Sequence, residues 1–342
     1  MDIKKILKEK WPYLFLLLVA FAVPVLVSSR YVFQVIVISV VWSVAALSLN
    51  LVLGYTGLAS LAHAGFFGIG AYGVALLTRG GMSFWLALPL SALLATVVGL
   101  FIAMPALRTR ESYFAISTLC FGVIIYIVAG NWLSLTGGHT GIIGIPRVTP
   151  IRLPFLTIEF TSLTSQYYLV LVLLLLTLFV MHRLVYSLQG LTFMSIRNNE
   201  VLAEAVGINA FSTKLLSFCI ANFIVALAGG VYAPLMGSIS PTVTMHILTF
   251  NWLVFTLLGG VATLAGPIIG AFAITVLIES LYFLGEYQLI IFGALLIVVI
   301  IYFPRGLMGI YDNLSLKAKD FYQQRRSGFK DVQRIAQSRG SD

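Results

Sequence analysis

Charge is what this sequence has least of. Asp, Glu, Lys and Arg make up 10% of its 342 residues, against about 25% in ordinary soluble proteins. With 60% apolar residues, that scarcity excludes both a disordered chain and a soluble globular domain. Cysteine is nearly absent too. Cys120 and Cys219 both lie inside apolar runs, so a disulfide framework is excluded and packing is their reading. The four histidines are scattered and neither cysteine has a partner at ligand spacing, so no metal is expected on this chain. None of the 30 glycines is followed by lysine. This removes the phosphate-binding loop that ends in Gly-Lys-Ser/Thr, and with it an ATP motor of that kind.

What is present is long apolar sequence, enough for about ten helices of about 20 residues each. Backbone groups in lipid must pair internally, so such runs are helices. The expected spans are 12–29, 32–53, 58–78, 84–106, 112–132, 166–185, 214–235, 247–263, 266–285 and 288–303. The expected fold is an all-α polytopic membrane protein, with a transmembrane domain over 1–310 and a basic tail over 311–342. A net charge of +9 would suggest nucleic acid in a soluble protein; here the placement of charge matters more, and no nucleic-acid partner is expected. An even number of spans puts both termini on one side. That side holds 17 of the 21 Lys and Arg residues, among them Arg108, Arg183, Arg197 and Lys214, and the other holds Arg30, Arg79, Arg147 and Arg152. By the positive-inside rule both termini and the loop 186–213 are cytoplasmic, and the loop 133–165 is outside. The tail reads either as an interfacial segment drawn to anionic membrane lipid or as a solvated end.

Ionisable groups at membrane depth mark ion pathways and proton relays, and this chain has few. Of twelve acidic residues, Glu279 alone lies well within a span, and His63 is the one histidine placed comparably. Asn50, Asn222 and Asn251 are further polar residues at or near that depth. Two readings are open for Glu279 and His63: structural hydrogen bonding, or polar contacts in a path or gate. Glycine, by contrast, is concentrated inside the spans. Gly54, Tyr55 and Gly57 read as a turn at the cytoplasmic boundary. Gly65, Gly68, Gly70 and Gly73 allow close helix contact or a helix break. A second cluster holds Gly259, Gly260, Gly266 and Gly270. Ala59-Ser60-Leu61-Ala62 aligns with Ala262-Thr263-Leu264-Ala265, and after a short gap Gly70-Ala71 aligns with Gly270-Ala271. Glycine-interrupted spans at matching places in two halves point to a transport path; chance similarity of two Gly/Ala-rich helices is the competing reading. The candidate path is Asn50, Gly54, Tyr55, Gly57, Ser60, His63, Gly259, Gly260, Gly266 and Glu279.

In the 186–213 loop, Asn198 or Asn199 can cap a short helix that Gly207 ends. Val201, Leu202, Ala205, Val206 and Ile208 then share one face, with Glu200 and Glu204 on the other. That apolar face needs a cover: the membrane surface, the chain's own spans, or a groove in a cytoplasmic partner.

The run AEAVGIN, Ala203 to Asn209, resembles the Glu-Ala-Ala loop of ABC importer permeases in its Glu-Ala-x-Gly form, since Val201 rather than Glu200 stands where the longer spacing would put the glutamate. LNLVLGYTG (Leu49–Gly57), FFGIGAYG (Phe66–Gly73), TGGHTGIIGIP (Thr136–Pro146), LAGGVYAPLMGSISP (Leu227–Pro241) and GGVATLAGPIIGA (Gly259–Ala271) are also similar, in family order. The chain thus resembles the larger, M-type permease subunits of high-affinity branched-chain amino acid ABC importers. It departs from them at Leu58, where glutamine is usual, at Ala62, where glycine is usual, and at His139 and Ile143 in the outer loop. These departures bear on the substrate, since related permeases carry urea and short amides.

The resemblance implies a non-catalytic subunit of an importer in a bacterial or archaeal inner membrane. Its partners would be a second permease subunit, two cytoplasmic ATPases that hold ATP and Mg, and an extracytoplasmic substrate-binding protein. No cofactor is implied on this chain. Glu200, Ala203, Glu204, Ala205 and Gly207 would couple to the ATPases. The rival from another class is an ion-driven secondary carrier, which would need several intramembrane carboxylates. A membrane-embedded enzyme lacks any convergent nucleophile, acid or metal set. The charge asymmetry makes a direct prediction. In a cysteine-free background, a single cysteine at Thr149 reacts with an impermeant reagent in intact cells and one at Ser195 does not; labelling at 195 overturns the topology.

Overall fold

The structure is a computed structural model that describes residues 20–281 apart from 110, 154 and 155, together with 287, 291, 293, 297 and 306–308. The start of the first expected span, the end of 266–285, most of 288–303 and the tail 311–342 lie outside the described residues.

After a short helical stretch over 20–26, helix α1 runs Arg30–Asn50 and continues through one π turn, Leu51–Tyr55. α2 is His63–Arg79, α3 Phe84–Ala106 and α4 Glu111–Asn131. α5 is Leu163–Val185, followed by α6, Leu188–Asn198, and α7, Glu200–Ala205. α8 is Ala210–Met236, α9 His246–Gly259 and α10 Gly266–Ser280. Five of these segments are long and apolar enough to cross a membrane: Arg30–Tyr55, Phe84–Ala106, Ser112–Asn131, Leu163–Val185 and Ala210–Met236.

Two expected spans are shorter than the sequence suggested. The span 58–78 begins as a helix only at His63, because residues 57–62 are non-helical. The span 247–263 ends at Gly259, and α9 and α10 have 14 and 15 residues. At 1.5 Å per residue each is about 21–23 Å long, less than the roughly 30 Å hydrocarbon core. The all-α expectation also needs an amendment. The 133–165 segment carries two small ladders, β1 (Ile142–Ile143) with β4 (Ser238–Ile239), and β2 (Ile151–Leu153) with β3 (Leu156–Ile158). A long connection that leaves the helices must still pair its backbone groups. Here Gly144 N and Ile145 N both donate to Gly237 O, at 3.0 and 2.9 Å.

Lipid tails are as apolar as leucine, so helices in a membrane associate through close packing rather than hydrophobic burial. Small residues provide that closeness where α2 crosses α8. The backbone at Gly70 lies against the Ala226 carbonyl, and that at Gly229 against the Phe67 carbonyl. Trp42, Phe67, Tyr232 and Trp252 then cluster with ring centroids 5.4–5.7 Å apart. These four rings tie α1, α2, α8 and α9 into one core.

The helix ends sort into two groups. At one end the 133–165 segment meets β4 and the start of α3, where Trp85 Nε1 donates to Thr149 O at 3.0 Å. At the other, Gly57 meets Arg197, and Asn50 meets residues 262 and 263. A side chain at Gly229 would run into the Phe67 carbonyl, so Gly229→Val should separate α2 from α8 and cost at least the about 1–3 kcal/mol typical of overpacking. Gly80→Ala, where a Cβ meets only ordinary contacts, should be neutral. Thermal unfolding of the detergent-solubilised protein checks both; equal midpoints for the two variants would contradict the crossing.

Candidate functional site

The candidate path residues, Glu279 excepted, gather at two breaks in the helical ladder. The first follows α1. Gly54 sits in the π turn, Gly57 takes φ +83° and the chain stays irregular to Ala62. π turns inside α-helices occur frequently at functional sites. The second break lies between α9 and α10, where Gly260 takes φ +130° and Ala262 φ +59°. Ala262 is the one non-glycine residue with positive φ among the described residues, a conformation that costs a residue with a Cβ of order 1–3 kcal/mol and persists only where the surroundings over-determine it.

What over-determines it is Asn50. This side chain is fully buried. Its Oδ1 accepts from Ala262 N at 2.9 Å, and its Nδ2 donates to Thr263 O at 2.8 Å. The site is tight: a Cβ on Gly54 would strike Asn50 Oδ1, and one on Gly259 would strike the Gly266 carbonyl. The rest of the break is closed by Thr263, whose Oγ1 donates to Gly260 O at 2.7 Å and accepts from Gly266 N at 3.0 Å.

The first break is served in the same way from other helices. Leu61 N donates to Thr118 Oγ1 of α4 at 3.1 Å, and Ala64 N donates to Thr249 Oγ1 of α9 at 2.8 Å. Ser60 Oγ lies 3.0 Å from His63 Nδ1, and His63 Nε2 is buried with no partner among the described residues. Tyr55 is buried at the end of the π turn. The support is therefore reciprocal. Asn50 of the first half satisfies the break in the second, and Thr249 of the second half satisfies the break in the first. Ser60 and Thr263, aligned in the sequence comparison, each place a hydroxyl three residues before a helix N-terminal group. Glu279 is not brought to this cluster. It is half-buried near the far end of α10, thirteen residues beyond Gly266, about 20 Å along the helix. Its carboxylate has no partner among the described residues.

The loop helix forms where expected and faces differently. Asn199, not Asn198, caps α7, its Oδ1 accepting from Leu202 N at 3.0 Å. Gly207, φ +90°, ends it in a Schellman arrangement: Ile208 N donates to Ala203 O at 3.0 Å and Gly207 N to Glu204 O at 2.9 Å. The residue buried inward is Ala203, packed on Ile196 and Ala210. Of the expected apolar face, Val201, Leu202, Ala205 and Val206 are exposed, as is Glu204, while Ile208 is half-buried against the Ala203 cluster. Glu200 is not free for a partner, because its carboxylate pairs with the buried Lys214 ammonium at the start of α8. Where α6 ends, the backbone and side chain of Arg197 rest on Gly57, leaving no room for a side chain there without displacement. Sequence reasoning missed Thr118, Thr249 and Arg197. A hydroxyl or a guanidinium at a span end carries no signal of which distant backbone it meets.

The Asn50 contacts set a test. Asn50→Leu keeps similar volume but strands the Ala262 N–H and the Thr263 carbonyl, at about 1–3 kcal/mol for each buried unsatisfied group. Amide hydrogen exchange over 259–266 should quicken and the thermal midpoint should fall. Asn50→Asp, which keeps the acceptor for Ala262, should lose less. Unaltered exchange in Asn50→Leu would mean the turn holds itself.

Comparison with known proteins agrees with this architecture. The family model described as branched-chain amino acid transport system, permease component, matches residues 31–300. The chain is 32% identical over 320 residues to the high-affinity branched-chain amino acid transport system permease protein LivM of Escherichia coli K12, covering 88% of this chain and 75% of that protein. The permease protein LivH of the corresponding system in Salmonella typhimurium is 24% identical over 296 residues, covering 82% and 95%. A probable LivM of Methanocaldococcus jannaschii is 25% identical over 238 residues, covering 65% and 67%. No solved structure matches. A multi-pass helical chain with no motor motif and a family match over most of its length belongs to the branched-chain amino acid transport permease family, as the non-catalytic permease component of an ABC transport system.

Proposed function

We propose that the chain is one half of a heterodimeric inner-membrane pore that imports leucine, isoleucine, valine or related small apolar amino acids in a bacterium or archaeon. The second half is a homologous permease subunit. That two permease proteins of one named system, LivM and LivH, both resemble this chain supports the pairing. Two cytoplasmic ATPases, holding ATP and Mg, dock on the 186–213 loop, and an extracytoplasmic binding protein delivers the amino acid. Both termini are cytoplasmic. No covalent chemistry and no bound cofactor are needed on this chain, and an uncharged path lets an apolar amino acid pass without tight binding. Family membership removes the ion-driven carrier considered above.

The observation that carries the coupling role is the loop's construction. Val201, Leu202 and Val206 are 78, 63 and 72% exposed on a helix that is capped at both ends. A rigid helix with an uncovered apolar face suits a groove in a partner. The Lys214–Glu200 pair and Ala203 hold its inner side to α8, so a push on α7 moves the start of α8. Arg197 on Gly57 carries the same motion to the π turn. ATP binding closes the ATPase pair, α6 and α7 act as a lever, and the two breaks shift between outward- and inward-facing arrangements.

Glu204→Lys reverses the exposed charge at the edge of this face, and Gly207→Val forces a β-branched residue into positive φ. Loss of a charged interface contact costs about 2–5 kcal/mol where it is desolvated and much less at a rim. Both variants should insert normally yet lose ATPase association or coupling, read as substrate-stimulated ATP hydrolysis and uptake in the reconstituted complex. Unchanged uptake and stimulation in both would reduce the loop to a surface connector.

A further inference from the structure

Far from both breaks, the face that carries 133–165 holds a polar cavity of about 420 Å³. It opens between the start of α1, the start of α5 and the end of α8. Two exposed arginines, Arg30 and Arg147, line it, with Gln34, Gln166 and Ser162. None of the lining residues is acidic. Arg147 is held by donation from Nη1 to Thr161 O at 3.3 Å, and the Arg30 side chain has no partner among the described residues. The 23-residue α5 begins here, capped by Ser162 Oγ, and its N-terminal dipole adds to the positive potential. Gln166 is 8% exposed and turns its Nε2 toward Phe160 O at 3.5 Å. Its Oε1 has no partner among the described residues. Ile145 and Leu163 supply an apolar wall.

Each part of this lining has a complement in one chemical class. Two unneutralised guanidiniums favour an anion, and their planar forks match a carboxylate. A carboxamide oxygen suits an ammonium, and the apolar wall suits an aliphatic side chain. The volume falls within the about 300–1,000 Å³ of small-molecule sites. We infer that this cavity is a carboxylate-binding site on the outer face, fitted to the head of an aliphatic α-amino acid through Arg30 and Arg147. It rests on the transport reading above for which face is outer. The carboxylate is that of the free amino acid; an acidic side chain on the protein that delivers it is the competing source, and the test separates the two.

The test uses the intact transporter complex in nanodiscs of zwitterionic lipid. In the first arm, without binding protein, labelled leucine should bind saturably and be displaced by leucine but not by leucinol, which lacks the carboxylate. Arg30→Gln and Arg147→Gln should each weaken that binding roughly tenfold or more, as loss of a charge-assisted contact does. In the second arm the affinity of the complex for its binding protein is titrated. If free leucine does not bind, the inference is overturned, and variants that then weaken the binding protein mark only a docking contact. Variants that change neither arm, or leucinol competing as well as leucine, overturn the inference. An effect that appears only when anionic lipid is added also overturns it, because the ligand is then a lipid phosphate. Complex size and unstimulated ATP hydrolysis, expected to be unchanged in both variants, control for folding. Substrate-stimulated hydrolysis by the unmodified complex tests the transport reading separately, so failure of one is not failure of the other.

Discussion

A backbone that leaves the helix within a membrane protein must find its hydrogen bonds elsewhere in the protein, since lipid offers none. The rest of this structure is arranged around that constraint. Two stretches, 57–62 and 260–265, leave the helix. Each is repaired by side chains from the opposite half of the chain, Asn50 for one and Thr249 for the other, with Thr118 helping from α4. The halves are therefore bonded to one another at the positions where each is least regular. A polar contact of this kind is worth little where water competes, and more where the alternative is a stranded amide.

The breaks also explain the close packing around them. Gly54, Gly259 and Gly266 stand where another backbone or the Asn50 carboxamide occupies the space of a side chain. Positive φ at Gly57 and Gly260 turns the chain sharply enough for the next helix to start against the previous one. Ala262 departs from the glycine rule, and the carboxamide that grips its amide is the physical reason it can. On the proposed reading, the loop joins this assembly through Arg197, which rests on Gly57. Motor, lever and breaks then form one continuous mechanical block.

Much of this was legible in the sequence. Apolar length placed the long helices near the ends they have, and Gly54, Gly57, Gly259, Gly260 and Gly266 marked the breaks. The Asn-capped, Gly-terminated loop helix was legible because caps are local. What was not legible depended on distance. LASLA reads as continuous span, and only the hydroxyls of Thr118 and Thr249, contributed from distant helices, make its irregular backbone stable. Glu200 looked like the partner of Glu204 on a solvated edge until Lys214, fourteen residues on, took it. Glu279 shares a helix with Gly266, yet its position along the axis removes it from the cluster.

The central claim is that the loop and the second break move together. Spin labels at Asn198 and Ala265, both exposed, in a cysteine-free permease within the assembled transporter, report the distance between them by pulsed electron resonance. The account predicts that this distance and its spread stay the same when ATP binds, while the distance from Asn198 to a label at Thr140 on the opposite face changes. A shift between 198 and 265 with no change to 140 would contradict it.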